Sequence, residues 1–374
     1  MKGPGTRPRS DAMGRSVSRT GSDSVARLSL PLSLEQRDSV SFNGKIQFTN
    51  GFGAVRNSRV IRKFMGFYLS QSRRVWNHLP DSIRRLSVGR LYGRHLHTLV
   101  RLHADRKQYF ATFFLRNRAE LELMRRLADK NRHGSELRIV VLACSKGAEV
   151  YSIVWAVRSA RPDLRLKIHA VDISQEIVNF AAMGIYSFTD PDAVKAARYE
   201  GAADCGDVTW NTCRDQLTSI FERMTGEEVA AMFEVDGDQA RIRPRLKEGI
   251  TWLRGDAGDP ELLDVLGPQD IVVANRFLCH MRPAAAEKCL RNIGRLVKPG
   301  GYLFVSGIDL QVRTRVAREM GWNPILDLMR EIHEGDPSLK CGWPLEYWGL
   351  EPFSDNRPDW KLRYASAFQI GRAT

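Results

Sequence analysis

The stretch from residue 139 to residue 172 constrains the fold of this chain more than any other part of the sequence. It starts with the apolar run Ile-Val-Val-Leu at 139–142, passes through small residues to Gly147, and continues into a helical stripe of apolar residues. A second apolar run then ends on Asp172. This order of strand, tight turn, helix and strand predicts one β-α-β unit of a doubly wound sheet, whose ligands bind beyond the carboxyl ends of the strands.

Two acids in this unit indicate the kind of ligand. Asp172, at the end of the second strand, is placed to accept hydrogen bonds from ribose hydroxyls. The turn contains Gly147 rather than a full G-x-G-x-x-G motif, and Glu149 follows it. A carboxylate there repels a diphosphate but suits the ammonium group of an amino acid. The two acids predict S-adenosyl-L-methionine as cofactor, with a purely structural β-α-β unit as the alternative.

The rest of the chain adds the strands that such a sheet requires. Apolar or alternating runs predict four more strands, at residues 249–256, 270–281, 302–306 and 363–370. The third strand ends on Asp256, which is placed to meet an adenine amino group. Lys-Pro-Gly-Gly at 298–301 predicts a sharp turn after a helix. Asp-Gly between the alternating residues of 233–242 predicts a β-hairpin.

Several motifs in these segments resemble those of one enzyme family. They are Ser-x-Gly-x-Glu-x-Tyr-Ser at 145–152, Asp-Ile-Ser at 172–174, Gly-Ile-Tyr at 184–186, Asn-Arg-Phe-Leu-Cys-His-Met at 275–281 and the aromatic segment 109–116. From about residue 112 to residue 307 the chain resembles the CheR-like, chemotaxis-type protein-glutamate O-methyltransferases. The resemblance implies an α/β class I methyltransferase fold, with a Rossmann-like doubly wound sheet, a β-hairpin insertion and S-adenosyl-L-methionine as methyl donor.

The resemblance also assigns cofactor-binding residues. It implies that Glu149 binds the methionyl amine, that Asp172 binds the ribose, and that Asp256 lies beside the adenine. The full set of predicted cofactor-binding residues is Thr112, Gly147, Glu149, Asp172, Ile173, Asp256 and Asn275.

The sequence departs from the family pattern mainly where the acceptor is expected. Asn275 and Arg276 stand in swapped order, His280 stands where the family has a tyrosine, and an extra Leu115 precedes Arg116. Ala148 also replaces the first of two adjacent glutamates. We therefore expect cofactor binding to be kept, while the acceptor chemistry is left open.

Three residues are the candidates for catalysis. An acceptor carboxylate is ionised near neutral pH and needs a cationic anchor rather than a base, for which Arg116 and Arg276 are the candidates. A hydroxyl or amine acceptor instead makes a general base useful, and His280 is the candidate base. The six cysteines show neither C-x-x-C pairs nor histidines at a metal-ligand spacing, so neither a zinc site nor a disulfide framework is expected.

Composition along the chain predicts three regions. Residues 1–55 are rich in Ser, Arg and Gly and are expected to form a disordered basic tail. Residues 56–135 show helical spacing and predict a helical N-terminal module that delivers Arg116 to the cofactor. Residues 136–374 form the predicted methyltransferase domain, with a hairpin-bearing insertion at 186–250 and an aromatic-rich insertion at 311–361. The second insertion is either a lid over the acceptor or a small aromatic core, and Trp343 and Tyr347 are the residues proposed to separate these possibilities.

Charge is concentrated near the N-terminus. Residues 1–130 contain 26 Lys and Arg against 9 Asp and Glu, whereas the full chain carries a net charge of +14. This segment suits an anionic partner, although a solvated surface is the simpler expectation. The sequence lacks an apolar signal region and a membrane-spanning stretch, which predicts a cytoplasmic protein.

Three functions stay open. The first is O-methylation of a carboxylate on a protein or small molecule, the second is methylation of RNA, another polyanion or another small molecule, and the third is cofactor binding without catalysis.

Overall fold

The computed structural model describes residues 59–80, 82–83, 86–103, 112–189, 219–335 and 351–371. All of these residues belong to one compact unit that spans residues 51–374. The predicted tail at 1–55, and Trp343 and Tyr347 in the C-terminal insertion, lie outside the described residues.

Three helices precede the sheet in the described part of the chain. They are α1 (Arg59–His78), α2 (Ser87–His103) and α3 (Arg118–Ala128). Helix α3 starts at Asn117, whose side chain accepts a hydrogen bond from the N–H of Glu120 and so caps the first turn. The predicted helical character of 56–135 thus appears in three separate helices, and their grouping into a module stays a prediction.

Alternating strands and helices make up the rest of the described chain. In chain order they are β1 (Glu136–Leu142), α4 (Ala148–Ala160), β2 (Arg165–Asp172), α5 (Gln175–Met183), β3 (Ile185–Ser187), α6 (Gly226–Met232), β4 (Phe233–Asp236), β5 (Gln239–Ile242), β6 (Ile250–Arg254), α7 (Leu262–Leu266), β7 (Gln269–Asn275), α8 (Pro283–Leu296), β8 (Val297–Ser306), α9 (Leu310–Glu319), β9 (Asn323–Pro324), α10 (Met329–Glu334), α11 (Trp360–Tyr364) and β10 (Ala367–Gln369).

The main sheet has the strand order β6-β2-β1-β7-β8-β10-β9. Strands β6, β2, β1, β7 and β8 run parallel, and β10 is antiparallel to β8. The order reverses between β1 and β7, so the chain passes to opposite sides of the sheet there and leaves a crevice at the carboxyl ends of the strands. This is the class I methyltransferase arrangement, and it confirms the predicted fold.

The two faces of the sheet are both buried. Along β1, Ile139 and Val141 belong to one apolar cluster, whereas Val140 and Leu142 belong to the other. Because successive side chains of a strand point to opposite faces, a near-continuous apolar run is what a doubly covered parallel strand requires.

The predicted hairpin is present over the predicted residues, and a third strand that was not predicted pairs with it. Strands β4 and β5 pair antiparallel through Phe233–Ile242, with Gly237 at positive φ in the connection. The short strand β3 pairs with β5 and completes a separate three-stranded sheet. Strand β3 was missed because it has only three residues.

The Lys-Pro-Gly-Gly segment differs from its prediction. Residues 298–301 lie inside β8, where the pairing partners jump from Gln269–Val297 to Ile271–Tyr302. Gly300 adopts a φ of 83° in this excursion. The predicted turn is therefore an outward bulge within one strand, because Pro299 cannot donate to the ladder.

The last predicted strand is shorter than its alternating pattern suggests. Residues 360–364 are helical, and only 367–369 pair with β8. Arg363 and Tyr364 both direct their side chains to the carboxylate of Glu351. The apparent alternation of Arg363 and Tyr364 with Ala365 and Phe368 therefore comes from a short helix followed by a strand, not from one long strand.

Two glycines provide a matched test of the packing. An alanine at Gly294, inside α8, would place Cβ 2.5 Å from Cζ2 of the buried Trp322, whereas a Cβ at the exposed Gly226 meets nothing within 4 Å. We expect Gly294→Ala to lower the free energy of unfolding by about 1–3 kcal/mol, despite the better helix propensity of alanine. Gly226→Ala should leave it unchanged or raise it by up to about 1 kcal/mol. Urea unfolding measures both, and equal effects would contradict the close contact at Trp322.

Candidate active site

The loop after β1 is a tight turn held in an unusual backbone conformation. Ala143, Ser145 and Gly147 all have positive φ, at 53°, 50° and 83°. A Cβ on Gly147 would lie 3.0 Å from atoms of Ala181 and Trp252, so both conformation and space require glycine there. Left-handed backbone at non-glycine residues stores strain and persists where surrounding contacts hold it. Here the turn points its backbone toward the end of β2.

Asp172 receives that backbone. Its carboxylate accepts hydrogen bonds from the N–H of Ser145 at 2.9 Å and from the N–H of Ser174 at 3.1 Å. The residue is buried, and this burial raises the pKa of Asp172, while the two N–H donors act in the opposite direction. Two backbone donors do not use up the lone pairs of a carboxylate, so Asp172 can accept further hydrogen bonds from a ligand.

Asn275 forms hydrogen bonds with residues from three separate segments around the crevice. Its Nδ2 donates to Oε1 of Glu149 at 2.9 Å and to Oε1 of Glu120 at 2.6 Å. Its Oδ1 accepts a hydrogen bond from the hydroxyl of Ser306 at 2.8 Å. This buried amide thereby fixes Glu149 at the start of α4 against the ends of β7 and β8.

The residue after Asn275 lies in a second strained position. Arg276 has a φ of 62°, and its N–H donates to the carbonyl of Ser306 at 2.9 Å. A Cβ on Gly307 would lie 2.6 Å from Cα of Arg276. Glycine at 307 therefore lets the two strand ends approach closely enough to present Arg276 at the crevice.

The aromatic segment before α3 is anchored to α4. The N–H of Leu115 donates to Oγ of Ser152 at 3.0 Å, and Leu115 itself has a φ of 53°. Phe114 is fully buried among aromatic rings, with Phe233 at 5.0 Å between ring centroids. The guanidinium of Arg116 lies 5.3 Å from the ring centroid of Phe113. The extra Leu115 thus turns the chain inward and keeps Arg116 at the crevice.

These elements enclose one large cavity at the carboxyl ends of the strands. Its volume is about 1160 Å³ when counted out to open solvent. Nine of the ten predicted site residues line it, namely Thr112, Arg116, Glu149, Asp172, Ile173, Asp256, Asn275, Arg276 and His280. Gly147 is not among the lining residues, and its contribution is the turn described above.

The residues at the rim differ in exposure from those inside. Asp256 is exposed, and its Oδ1 accepts a hydrogen bond from the N–H of Gly258 at 2.8 Å. Ile173 is 46% exposed and presents an apolar surface next to Asp172. His280 ends a short 3₁₀ turn and is half-buried. The cavity thus combines the buried acid Asp172 and the exposed acid Asp256 with an apolar surface at Ile173.

Glu120 and Ser306 were not predicted as site residues. Glu120 is buried and contacts Asn275 across 155 positions of sequence. The Asn117-x-x-Glu120 spacing signals a helix start, but no local pattern shows that this glutamate turns inward. Ser306 ends β8, and the same rule of strand ends that identified Asp172 could have identified it.

Comparison with known proteins places this cavity in a family context. Residues 111–201 match the model "CheR methyltransferase, SAM binding domain", and residues 216–305 match the model "Methyltransferase domain". Neither match extends into the C-terminal segment that contains α9, α10 and α11.

Three curated relatives are similar in sequence. An uncharacterized 104.1 kDa protein of Rhodobacter capsulatus is 27% identical over 49% of this chain and 16% of its own length. The probable biofilm formation methyltransferase WspC of Pseudomonas aeruginosa is 26% identical over 54% of this chain and 41% of its own. The chemotaxis protein methyltransferase of Salmonella typhimurium is 24% identical over 67% of this chain and 80% of its own. The chain therefore spans less than half of the first two relatives.

Solved structures show more distant similarity. The CMeT domain of citrinin polyketide synthase is 13% identical, with a TM-score of 0.33 over 68% of this chain and 52% of that chain. The CcbJ methyltransferase of Streptomyces caelestis is 13% identical, with a TM-score of 0.27 over 51% of this chain and 52% of that one. The strand order and the family matches carry the conclusion instead: the chain has a class I methyltransferase fold with S-adenosyl-L-methionine as its cofactor, and it resembles the CheR methyltransferases over residues 111–201.

Proposed function

We propose that this protein is an S-adenosyl-L-methionine-dependent methyltransferase that O-methylates a carboxylate on a protein or a small-molecule acid. One observation carries the proposal. A single cavity joins the acids Glu149, Asp172 and Asp256 with the cations Arg116 and Arg276. The carboxylates of this wall can accept hydrogen bonds from a nucleoside and an ammonium group. Its two arginines can bind an anionic methyl acceptor.

The acids fit the donor groups of the cofactor. Asp172 has free lone pairs at a strand end and would bind the ribose hydroxyls. Glu149, which Asn275 fixes at 2.9 Å, would bind the methionyl ammonium. Asp256 at the rim would accept a hydrogen bond from the adenine amino group, with the exposed Ile173 against the ring. Thr112 completes the wall on the side of the N-terminal segment.

In methyl transfer the main task of the protein is to align the acceptor with the methyl group and the sulfur of the donor. S-adenosyl-L-methionine supplies a methyl group on a positively charged sulfur, which becomes a neutral thioether. An acceptor carboxylate is already ionised near neutral pH, so no base is needed. Arg116 and Arg276 would hold that carboxylate in line, and such positioning can lower the barrier by up to about 7–11 kcal/mol.

A hydroxyl or an amine is the second candidate for the methyl acceptor. The position of His280 in the cavity is the observation that favours it. His280 lines the cavity near Arg276 and could take up the proton of such an acceptor. Replacing His280 with Gln should leave carboxylate methylation nearly unchanged but should slow methylation of a hydroxyl or amine by about 10²–10⁴-fold.

The named relatives favour a protein acceptor. One of them is called a chemotaxis protein methyltransferase and another a biofilm formation methyltransferase. We propose the cytoplasm as the compartment and an anionic partner for the basic N-terminal third. Among the described residues, none of the helices combines the length and apolarity needed to cross a bilayer.

Removing either acid's charge tests the cofactor assignment. We expect Glu149→Gln and Asp172→Asn each to weaken binding of S-adenosylhomocysteine by about 10- to 100-fold, because each loses hydrogen bonds to a charged group. Glu176→Gln is the matched control, since Glu176 is an exposed acid in the first turn of α5 that does not line the cavity. Calorimetric titration gives the affinities. Unchanged affinity in both site variants, with the fold intact, would contradict the assignment.

Acceptor identity needs a separate experiment. Purified protein with labelled S-adenosyl-L-methionine is incubated with a cell lysate, which is then fractionated into protein, RNA and small molecules. We expect label on protein or on a small acid, in a linkage that mild base hydrolyses, as carboxyl methyl esters do. Label in RNA, or base-stable label alone, would contradict carboxylate methylation, and the Glu149→Gln variant provides the inactive control.

Cofactor affinity should depend on pH through Asp172. Burial raises the pKa of Asp172, and ribose hydroxyls bind best to its ionised form. Bound cofactor therefore lowers this pKa, so affinity should fall as the pH falls through the raised pKa, and binding there should release protons. Titrations from neutral to acidic pH, in two buffers of different ionisation enthalpy, measure both effects. The Asp172→Asn variant should lose this dependence, and an identical profile in that variant would contradict the role of Asp172.

A further inference from the structure

A second, smaller cavity opens beside the cofactor cavity. Its volume is about 660 Å³ when counted out to open solvent. The two cavities share Arg116, Glu149, Asn275 and Arg276. The second cavity is thus continuous with the place where the proposed reaction occurs.

The far wall of the second cavity lies outside the segments that match the family models. It consists of Gly307, Arg313, Ile332, His333 and Ser366. All five residues lie beyond the segments 111–201 and 216–305 that match the family models. The C-terminal helices α9 and α10 therefore supply a surface that the matched domains do not include.

Arg313 is the charged residue of that wall. It is 2% exposed, and its Nη1 and Nη2 donate to the backbone carbonyls of Val305 at 3.0 Å and Arg363 at 2.7 Å. Its Nε–H is buried and has no hydrogen-bond partner in the described part of the chain. Burial, and the neighbouring cation Arg363, lower the pKa of Arg313. The guanidinium is thus buried against two carbonyls and another cation.

Arg363 is a second buried cation in the same region, and unlike Arg313 it has a carboxylate partner among the described residues. Arg363 is 5% exposed, and its Nε lies 3.0 Å from a carboxylate oxygen of Glu351. Tyr364 also donates to this carboxylate, at 2.8 Å. Glu351 thus compensates Arg363, whereas both hydrogen-bond acceptors of Arg313 within the described residues are neutral carbonyls.

An unpaired buried cation is costly, since buried charges are normally paired, and none of the described carboxylates pairs with Arg313. His333 does not add charge to the wall, because burial lowers the pKa of His333 to about 4, and its Nε2–H donates to the carbonyl of Glu351 at 2.7 Å. The hydroxyl of Ser366 adds a neutral donor. The cavity is lined by the carboxylates of Glu120 and Glu149 and by the guanidinium groups of Arg116, Arg276 and Arg313. Three cations against two carboxylates leave an excess of positive charge, which suits a small anionic group.

We infer that Arg313 is a specificity-determining residue that binds the anionic end of the acceptor in the second cavity. Arg313 lines this cavity but not the cofactor cavity, which separates it from Arg116 and Arg276. The inference rests on the proposed function, and it assigns acceptor choice to the C-terminal segment rather than to the matched domains.

A direct binding experiment tests the inference without turnover. The probe is N-acetyl-L-glutamate methylamide, and its neutral isostere, N-acetyl-L-glutamine methylamide, is the control ligand. Saturation-transfer NMR titrations are recorded on the full chain in saturating S-adenosylhomocysteine. We expect the wild-type protein to bind the glutamate probe at least about tenfold more tightly than the glutamine probe.

Variants then assign the preference to Arg313. Arg313→Met should reduce the preference at least about threefold, because only Arg116 and Arg276 then remain to bind the carboxylate, while S-adenosylhomocysteine affinity stays within about threefold. Arg313→Lys, which keeps the charge, should retain more of the preference. Arg315→Gln is the matched control, because Arg315 lies on the same helix, is exposed, pairs with Glu287 and lines neither cavity. If Arg313→Met does not fold, Arg313→Lys and the wild-type comparison of the two probes still decide the question.

The contrary outcomes are distinct. Equal binding of both probes by the wild-type protein, or an undiminished preference in Arg313→Met, would overturn the role of Arg313 and leave the proposed function standing. Weakened S-adenosylhomocysteine binding in folded Arg313→Met would assign Arg313 to the cofactor instead. Absence of S-adenosylhomocysteine binding in the wild-type protein would overturn the proposed function itself.

Discussion

The amide of Asn275 bridges two carboxylates and a hydroxyl, and the position of Glu149 depends on these three hydrogen bonds. The amide donates to Glu120 at 2.6 Å and to Glu149 at 2.9 Å, and it accepts from Ser306 at 2.8 Å. Two acids that face one another in a buried site repel unless a donor lies between them. Through this donor the N-terminal helix α3, the β1–α4 turn and the ends of β7 and β8 meet at one point.

Much of the lining of the large cavity could be predicted from the sequence because parallel strands end at the same edge of a sheet. Asp172, Asp256 and Asn275 each follow an apolar run, and the structure brings all three to one cavity. Gly147 was identifiable for a related reason, since a strand-to-helix turn of this tightness needs a residue without Cβ. Local patterns carry this information because each residue is placed by its own strand.

The remaining site residues depend on contacts that no local pattern encodes. Glu120 lies on a helix whose spacing predicts its start but not which neighbour its carboxylate contacts. Arg313 has the sequence context of an exposed amphipathic helix, yet its side chain is buried between β8 and α11. The pairing of β8 with β7 also makes residues 298–301 a bulge within one strand, whereas the Pro-Gly signal had predicted a turn. Long-range packing decided each of these positions.

Different segments of the chain thus line the two cavities. Segments that match the family models supply the acids of the cofactor cavity, and the C-terminal segment supplies the wall with Arg313. A crystal structure of the protein with S-adenosylhomocysteine measures this division most directly. We expect the ribose hydroxyls within hydrogen-bonding distance of Asp172 and the ammonium within hydrogen-bonding distance of Glu149, with the Arg313 cavity left free for an acceptor. Ligand density that contacts neither acid, or that fills the Arg313 cavity with the cofactor, would contradict it.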